Sequence, residues 1–375
     1  MTDISSYLDN DMTLNAMSDQ IIKKNPKRFR HYLGMSEIGE PCWRMLWYRF
    51  RMVHQETMTL QSLLAIEDGY KQEDIMAERL RMVPGVMLET VDDKTKKQFS
   101  CRYLAGHFSG HLDGKISGIL EAPKTEHVWE NKSVNEKKFK QLRDLILDVG
   151  EKDALEKWDV VYYAQAQIYM HSFGLTRHYL TVSSPGGRNY TSCRTNYNGK
   201  VALSLLAKAE SIIISDRPLP RNSENRSFYQ CQWCKMKEIC FDMLVPEVNC
   251  RTCAFLEPVI TGPVASWHCH KKDIDFTGES KPCDLHLFLN TLVPFKAVDA
   301  DSSGDTPNWI KYKVENDIFY NVNSQAKKIK SALNLTSMEI KEKEYFECIF
   351  PEPKNETLKT NKEDKEITKK LKGMI

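Results

Sequence analysis

The chain has 375 residues, enough for a sizeable core and for two or three domains. Its 53 Lys and Arg residues nearly balance 51 Asp and Glu residues, so any nucleic-acid surface would have to be a local basic patch. No apolar run is long enough to span a bilayer and the first residues do not resemble a signal peptide, so a cytoplasmic protein without membrane contact is expected. Eleven cysteines in a reducing compartment favour metal ligands over disulfides.

The first segment, residues 1–30, ends in a basic stretch made up of Lys23, Lys24, Lys27, Arg28 and Arg30. This stretch could follow a phosphate backbone or could simply be a solvated helix end, and the sequence favours neither. Aromatic residues then recur at helical spacing between Trp43 and Phe50. Cys42 stands at the start of that helix, where a buried thiol would be the plain interpretation.

Residues 66–83 have the periodicity of a helix, in which Gly69 and Glu73 are one turn apart. A glycine allows another backbone to approach closely, and Glu73 taken alone could be an ordinary surface residue. Residues 84–133 change to a period of two, which predicts a mostly antiparallel sheet.

Two segments of that sheet carry the charged residues that suggest chemistry. Asp113 lies in the first, beside Gly114, and strand periodicity places Glu130 and Lys132 on one face of the second. Two carboxylates that converge on a hard cation, with a lysine to stabilise negative charge, are a minimal set for hydrolysing phosphodiesters. A surface hairpin would also explain these residues.

Helical periodicity returns in residues 134–172, where Gln165 and Tyr169 stand at positions i and i+4. Both could be core residues, but the pair suits hydrogen bonding to phosphate or sugar better. A strand is predicted at 176–184, before Pro-Gly-Gly. A helix is predicted at 201–215, with Leu203, Leu206, Ala207 and Ile213 facing inward.

The first cysteine group has the spacing C-x-x-C-x-x-x-x-x-C and consists of Cys231, Cys234 and Cys240. Three thiolates can hold a metal, but a tetrahedral site or a cubane cluster needs a fourth ligand. The candidates for that ligand are Cys42 or a cysteine from the group that follows.

The second cysteine group consists of Cys250, Cys253, Cys269 and Cys283. A C-x-x-C pair followed by two more cysteines within a short segment is typical of structural zinc, with neighbouring histidines as substitute ligands. Metal binding would supply folding free energy that such a segment lacks. After it, two alternating runs around Glu315 and Asn316 predict a hairpin, and a Lys/Glu-rich tail is expected to be disordered.

Several of these motifs, in this order, resemble those of the PD-(D/E)xK nuclease superfamily. They are Gly69-x-x-x-Glu73, Asp113, Glu130-Asn131-Lys132 and Gln165-x-x-x-Tyr169. The resemblance is to the RecB-like branch, which includes phage-type exonucleases, the AddB nuclease domain and CRISPR-associated adaptation nucleases. Many RecB-like members carry His where this chain has Glu73, and Leu112 replaces the proline that names the superfamily.

The cysteines extend this resemblance. Iron–sulfur members of the branch have one cysteine before the nuclease core and three after it at the spacing found here. The resemblance therefore implies a [4Fe-4S] cluster held by Cys42, Cys231, Cys234 and Cys240. It also implies an α+β class with a restriction-endonuclease-like core, in which a mixed central sheet is flanked by helices.

The resemblance implies a metal-dependent deoxyribonuclease, expected to be an exonuclease, of DNA recombination, repair or phage DNA processing. Mg²⁺ or Mn²⁺ would be held by Asp113, Glu130, the Asn131 carbonyl and Glu73, with Lys132 assisting catalysis. Gln165 and Tyr169 would bind substrate. The implied partners are DNA and a recombinase, helicase or single-strand-binding protein, in the host cytoplasm if the protein is phage-encoded. A non-catalytic DNA-binding accessory protein and a zinc-module protein-interaction factor are the alternatives.

The predicted organisation has five segments. They are an N-terminal segment at 1–30, a nuclease domain with its iron–sulfur staple at 31–245, a cysteine-rich zinc-like module at 246–295, a small β-rich segment at 296–350 and a charged tail at 351–375.

Overall fold

The computed structural model describes residues 11–25, 30–54, 58–242, 244–278, 281–314, 317–327, 329 and 332–342. It divides into two compact units. The first falls within Met1–Phe29, Glu56–Cys101 and Gly110–Leu203, and the second within Arg30–Gln55, Arg102–Ser109 and Ser204–Ile375. Each unit is therefore assembled from separate parts of the chain.

The helices and strands confirm the α+β class. The helices are α1 (Met12–Lys24), α2 (Trp43–Phe50), α3 (Leu60–Arg81), α4 (Glu136–Val149), α5 (Glu151–Trp158), α6 (Val160–Phe173), α7 (Gly199–Ile214), α8 (Tyr229–Gln232), α9 (Lys237–Phe241) and α10 (Ser337–Glu342). The strands are β1 (Leu33–Gly34), β2 (Met87–Glu89), β3 (Ser100–Tyr103), β4 (Phe108–His111), β5 (Gly114–Ser117), β6 (His127–Ser133), β7 (Arg177–Ser183), β8 (Tyr190–Asn196), β9 (Leu256–Val259), β10 (Ser266–Cys269), β11 (Ile274–Phe276), β12 (Lys296–Ala300), β13 (Trp309–Val314), β14 (Asp317–Val322) and β15 (Leu333–Leu335). None of the helices within the described ranges is both long and apolar enough to cross a bilayer.

A five-stranded sheet forms the centre of the first unit, in the order β2-β5-β6-β7-β8. Strands β6 and β7 run parallel, whereas the other neighbouring pairs are antiparallel. Helices α3 and α6 both contact β6. The predicted mixed central sheet flanked by helices is confirmed, and β6 lies in its middle.

Close packing explains the glycine beside Asp113. A Cβ atom at Gly114 would lie 2.7 Å from the carbonyl oxygen of Glu89 and 3.1 Å from the indole ring of Trp129. Trp129 is fully buried in a cluster of apolar side chains from α3, β2, β5 and β6. The close backbone approach that the sequence suggests is therefore made by the protein's own β2.

The second unit contains a four-stranded sheet in the order β12-β13-β14-β15 and a three-stranded sheet in the order β11-β10-β9. The predicted pair of alternating strands is confirmed, since β13 pairs antiparallel with β14, while Glu315 and Asn316 lie outside the described residues, as does the predicted tail at 351–375. One apolar core joins the cysteine-rich segment to the four-stranded sheet through side chains such as Phe255, Phe288 and Tyr312.

Buried arginines tie early residues of the second unit to its cysteine-rich segment. The guanidinium of Arg51 lies 5.3 Å from the ring centroid of Trp267, and that of Arg251 lies 4.7 Å from it. Arg251 also donates to the carbonyl oxygens of Phe50 and His31 at 2.8 and 2.7 Å. Residues 30–54 therefore share buried contacts with residues that the sequence assigns to a separate zinc-like module.

Candidate active site

Strand β6 presents two charged side chains on one face. The Nζ atom of Lys132 lies 2.5 Å from Oε1 of Glu130, as the predicted alternation requires. The pairing of β5 with β6 ends at Gly114 and Trp129, so Asp113 is the first residue beyond it. There Asp113 Oδ2 accepts a hydrogen bond of 2.9 Å from the backbone N–H of Asn131. The structure thus brings the three predicted catalytic residues together.

Glu130 is 4% exposed, and its two carboxylate oxygens have different surroundings. Oε1 accepts hydrogen bonds from Lys132 and, at 2.7 Å, from Nε2 of Gln165. Oε2 is buried and accepts no hydrogen bond from an N–H or O–H donor of the described residues, so a proton shared with the Asp113 carboxyl is what the protein itself can offer the Glu130 carboxyl. A buried carboxylate oxygen without a donor is costly unless a cation or a water satisfies it.

The charges of this cluster perturb one another. Burial raises the pKa of Glu130, and the neighbouring charge of Asp113 raises it further. Burial also raises the pKa of Asp113, although the charge of Lys132, the Asn131 N–H and a side-chain hydrogen bond with Glu130 oppose that change. For Lys132, burial lowers the pKa, but the charges of Glu130 and Asp113 outweigh it and the net direction is upward. Lys132 is therefore an ammonium. Its single positive charge does not balance the negative charges of Asp113 and Glu130, so the pKa values of both carboxyls stay raised.

Glu73 on α3 belongs to the same electrostatic cluster. Its pKa is raised to about 7, first by burial and then by the charge of Asp113, while Lys132 lowers it. Gly69 is one turn earlier on α3, and a Cβ atom there would meet nothing within 4 Å. No part of the protein described by the structure therefore requires a glycine at this position.

Asn131 is fixed between the two predicted carboxylates and the next strand. Its side-chain Oδ1 accepts a hydrogen bond of 3.0 Å from the hydroxyl of Thr181, which itself accepts one of 3.0 Å from the indole N–H of Trp129. The N–H and C=O groups of one residue lie on the same edge of an extended strand. Since the N–H of Asn131 points to Asp113, its carbonyl oxygen faces that same side.

Gln165 and Tyr169, which the sequence predicts to bind substrate, lie next to the carboxylate cluster. They are 5% and 2% exposed on α6, and Gln165 donates to Glu130. Burial raises the pKa of the Tyr169 hydroxyl, and the charge of Glu130 adds to this. Their i, i+4 spacing correctly predicted that both residues lie on one face of α6. It could not predict that this face would be buried.

Three further residues around the site are missed by the sequence interpretation. The hydroxyl of Ser133 donates to Asp68 Oδ2 at 2.9 Å, and Nε2 of Gln72 lies 3.4 Å from Asp68 Oδ1. The contact of Ser133 with Asp68 attaches α3, and with it Glu73, to the end of β6. Gln72 holds Asp68 from within α3. The signal in the sequence is the i, i+4 spacing of Asp68 and Gln72, which places both on one face of α3.

The first cysteine group gathers in the second unit. Cys42, Cys231, Cys234 and Cys240 line one cavity of about 20 Å³. Burial raises the pKa of Cys231 to about 11, and the charges of the other three cysteines contribute. Arg221 Nε and Arg44 Nη1 lie 3.3 and 3.8 Å from the Sγ atom of Cys240. The cysteine far upstream in the sequence is thus beside the other three.

The second group gathers in the same way. Cys250, Cys253, Cys269 and Cys283 line another cavity of about 20 Å³, together with His286. The two histidines that flank Cys269 do not line it. His268 Nδ1 lies 2.8 Å from Asp275 Oδ1, and His270 Nε2 lies 2.9 Å from Glu257 Oε2.

As they stand, no three His, Cys, Asp and Glu side chains in the part of the chain that the structure describes are arranged to hold an ion. The convergence of the two cysteine groups is therefore seen in the cavities that they line and in the pKa values that they perturb, and not in a preformed coordination geometry.

Comparison with known proteins gives structural neighbours only. No family model matches the chain, and no curated protein sequence matches it. Among solved structures, SSO0001 has a TM-score of 0.36 at 14% identity, covering 61% of this chain and 96% of its own. An alkaline exonuclease, LHK-Exo from Laribacter hongkongensis, has a TM-score of 0.33 at 14% identity, covering 52% of this chain and 90% of its own. The same enzyme in complex with dAMP has a TM-score of 0.33 at 13% identity, covering 48% and 85%. At these TM-scores the similarities carry no argument about activity, and the site is interpreted from its own geometry.

Proposed function

We propose that the chain is a metal-dependent nuclease that hydrolyses phosphodiester bonds in DNA. The observation that carries the proposal is the buried Glu130 carboxylate. Lys132 and Gln165 donate to one of its oxygens, whereas the other oxygen accepts no hydrogen bond from a described donor, and the charge of Asp113 is close by. A structural ion pair would not need a second carboxylate that raises the pKa of the first.

The residues present fit Mg²⁺ or Mn²⁺. Asp113 and Glu130 supply carboxylate oxygens, and the Asn131 carbonyl faces the same side, which makes an all-oxygen donor set for a hard cation. Glu73 extends the set from α3. A divalent cation would also remove the repulsion that raises the pKa values of these carboxylates.

A bound Mg²⁺ or Mn²⁺ would lower the pKa of a coordinated water and neutralise charge on the scissile phosphate. Lys132 is an ammonium next to Glu130, placed to stabilise the negative charge that develops on the phosphate. Gln165 fixes the orientation of the Glu130 carboxylate, so we assign it a positioning role in place of the predicted substrate contact.

We further propose a [4Fe-4S] cluster at Cys42, Cys231, Cys234 and Cys240, and structural zinc at Cys250, Cys253, Cys269 and Cys283. Each set supplies four cysteines around one small cavity, and mutual repulsion of the thiolates would be relieved by a metal. The arginines beside Cys240 offset the negative charge expected of an iron–sulfur cluster with four thiolate ligands.

A non-catalytic DNA-binding accessory protein is the alternative function. It would have no use for Glu130 and Asp113, since two buried carboxylates repel phosphate in the absence of a cation. A recombinase, helicase or single-strand-binding partner stays a prediction from the resemblance.

The proposal is tested on protein purified without oxygen, with iron and zinc measured by elemental analysis. End-labelled single- and double-stranded DNA is incubated with Mg²⁺ or Mn²⁺. We expect cleavage that Asp113→Ala and Lys132→Ala each reduce on the order of 100-fold or more. Lys124→Ala and Glu126→Ala remove exposed charges from the loop before β6 and serve as matched controls. Parent protein with full metal content that leaves both DNA forms intact would overturn the proposal, as would variants of Asp113 and Lys132 that cleave like the parent.

A further inference from the structure

Two aromatic rings adjoin the lysine of the candidate site, at the junction of α5 and α6. The ring centroid of Tyr162 lies 5.2 Å from Nζ of Lys132. The ring of Trp158 lies 5.6 Å from that of Tyr162, at an angle of 49°. Both side chains are partly exposed, and neither belongs to the buried core. The two rings therefore form a short surface that begins at the candidate site.

A set of polar contacts holds this surface in place. The indole N–H of Trp158 donates to the carbonyl oxygen of Lys138 at 3.0 Å. The Nζ atom of Lys138 lies 5.7 Å from the Trp158 ring and 5.3 Å from the Tyr162 ring. Asp159 receives this ammonium at 2.7 Å and also accepts the backbone N–H groups of Val161 and Tyr162. The Trp158 ring and the backbone of Tyr162 are thus held by hydrogen bonds within the protein.

The charge of Lys138 is already paired with Asp159, whose side chain is 14% exposed. Lys138 therefore supports the two rings, and its charge is already used in the ion pair with Asp159 and is not free for a phosphate. What the surface offers to a ligand is the exposed part of the two aromatic rings that the Lys132 and Lys138 ammonium groups leave uncovered. Unpaired nucleobases stack on such rings whatever their sequence, because every base has a π-face.

We propose that Trp158 and Tyr162 form a stacking shelf for the unpaired nucleotide that adjoins the phosphate at Lys132. The proposal rests on the nuclease function proposed above and specifies the substrate as a strand with an unpaired end. A duplex interior would keep its bases stacked on one another and would leave the shelf unused. The alternative is that the rings only stabilise the ammonium of Lys132.

Binding without cleavage tests the shelf first. The probe is a short fluorescein-labelled oligodeoxythymidylate, titrated with Ca²⁺ in place of Mg²⁺ and checked on a gel for intact length. We expect Tyr162→Ala and Trp158→Ala each to raise Kd about tenfold, whereas Tyr162→Phe binds like the parent. Tyr190→Ala is the matched control, since Tyr190 is a 65% exposed aromatic residue on β8. Tyr162→Leu, which retains apolar volume without a π-face, decides the question if Tyr162→Ala does not fold.

Base dependence separates the shelf from a role through Lys132. The same titrations are repeated with oligonucleotides that carry one abasic site at successive positions. At one position the Tyr162→Ala effect should shrink to less than about twofold, because the base that stacks is missing. A tenfold loss that is equal on every abasic probe, or variants that lower kcat while Kd stays unchanged, would overturn the shelf. Parent protein that shows the base-dependent binding but cleaves nothing with Mg²⁺ or Mn²⁺ would overturn the nuclease function and leave the shelf in place.

Discussion

Glu130 receives its hydrogen bonds from two residues that act in different ways. Lys132 brings a positive charge, whereas Gln165 brings a neutral donor at 2.7 Å and adds no charge. Removing Gln165 would leave the ion pair intact but free the carboxylate to rotate. Neighbours of this kind typically change metal affinity by about 10–100-fold because they orient the ligand.

Gln165→Ala should therefore raise the Mg²⁺ concentration needed for half-maximal activity by at least about tenfold, with little change in KM for DNA. Gln167→Ala is the matched control on the same helix, since Gln167 is fully buried and contacts Asn196 and Asn198 away from the site. It should reduce stability without altering the Mg²⁺ requirement. A Gln165 variant that changes KM for DNA and leaves the Mg²⁺ requirement as in the parent would restore the predicted substrate contact.

The raised pKa of Glu73 makes the free energy of unfolding fall as pH rises. Its folded-state pKa of about 7 lies above its ordinary value of 4.5. Between these values the folded protein holds a proton that the unfolded chain has lost, so the free energy of unfolding falls as pH rises through this window. Urea unfolding in EDTA at pH 5 and pH 8 measures the fall.

Glu73→Gln should show a smaller fall, because a neutral side chain has no proton to lose, and saturating Mg²⁺ should reduce the fall in the parent. Glu78→Gln makes the same change at an exposed glutamate on the same helix and should behave like the parent. If Glu73→Gln and the parent lose equal stability between these pH values, Glu73 does not share the site's electrostatics.

Helix α3 carries a glycine where its own packing does not call for one. Gly69 is inside a helix of 22 residues, and a Cβ atom there would meet nothing within 4 Å. Glycine in a helix interior costs about 1 kcal/mol relative to alanine. Gly69 therefore lacks the helix stability that an alanine would give, one turn from Glu73. A nucleic-acid backbone that passes close to the helix would explain a glycine at this position.

Gly69→Ala should raise the free energy of unfolding by roughly 1 kcal/mol in urea titrations. If a DNA backbone approaches here, the same variant should bind DNA more weakly, and Gly69→Leu more weakly still. Gly174→Ala is the matched control, because the space around Gly174 is also open but its φ of 67° disfavours alanine. It should lose stability. Unchanged DNA affinity in both Gly69 variants would remove the close approach from the proposal.

The sequence could predict which side chains share a face of a strand. Glu130 and Lys132 lie on one face of β6, as their spacing predicts. On α7 the prediction was wrong for Leu203, which is 59% exposed, and for Ala207, which is also exposed, because that helix is apolar on most sides and periodicity cannot choose a face. The predicted strand segment that contains Asp113 is interrupted there, between β4 and β5. Asp113 therefore lies outside the hydrogen-bonded pairing of β5 with β6, and no local sequence pattern predicts this interruption.

At the scale of the whole chain, each unit is built from segments that are far apart in sequence. The second unit contains Cys42 and also Cys231, so the upstream cysteine and the C-x-x-C-x-x-x-x-x-C group meet within one unit. The spacing of the cysteines alone could not identify the fourth residue of that group, because it does not show which distant segment folds next to Cys231, Cys234 and Cys240. The fold places Cys42 at the cavity that this group lines, and the second group, which includes Cys250, lines a cavity of its own.

Two separate cavities predict two metals that can be lost independently. Cys42→Ser should lose iron and retain zinc, while Cys250→Ser, its matched counterpart in the other group, should lose zinc and retain iron. Elemental analysis of protein prepared without oxygen measures both, and the absorbance of the cluster in visible light follows the iron. Both groups belong to the second unit, whereas Asp113 and Glu130 belong to the first, so loss of either metal is expected to act through folding. Zinc in place of iron at Cys231, Cys234 and Cys240 in the parent protein would contradict the iron–sulfur assignment, and loss of both metals from either variant would contradict two independent sites.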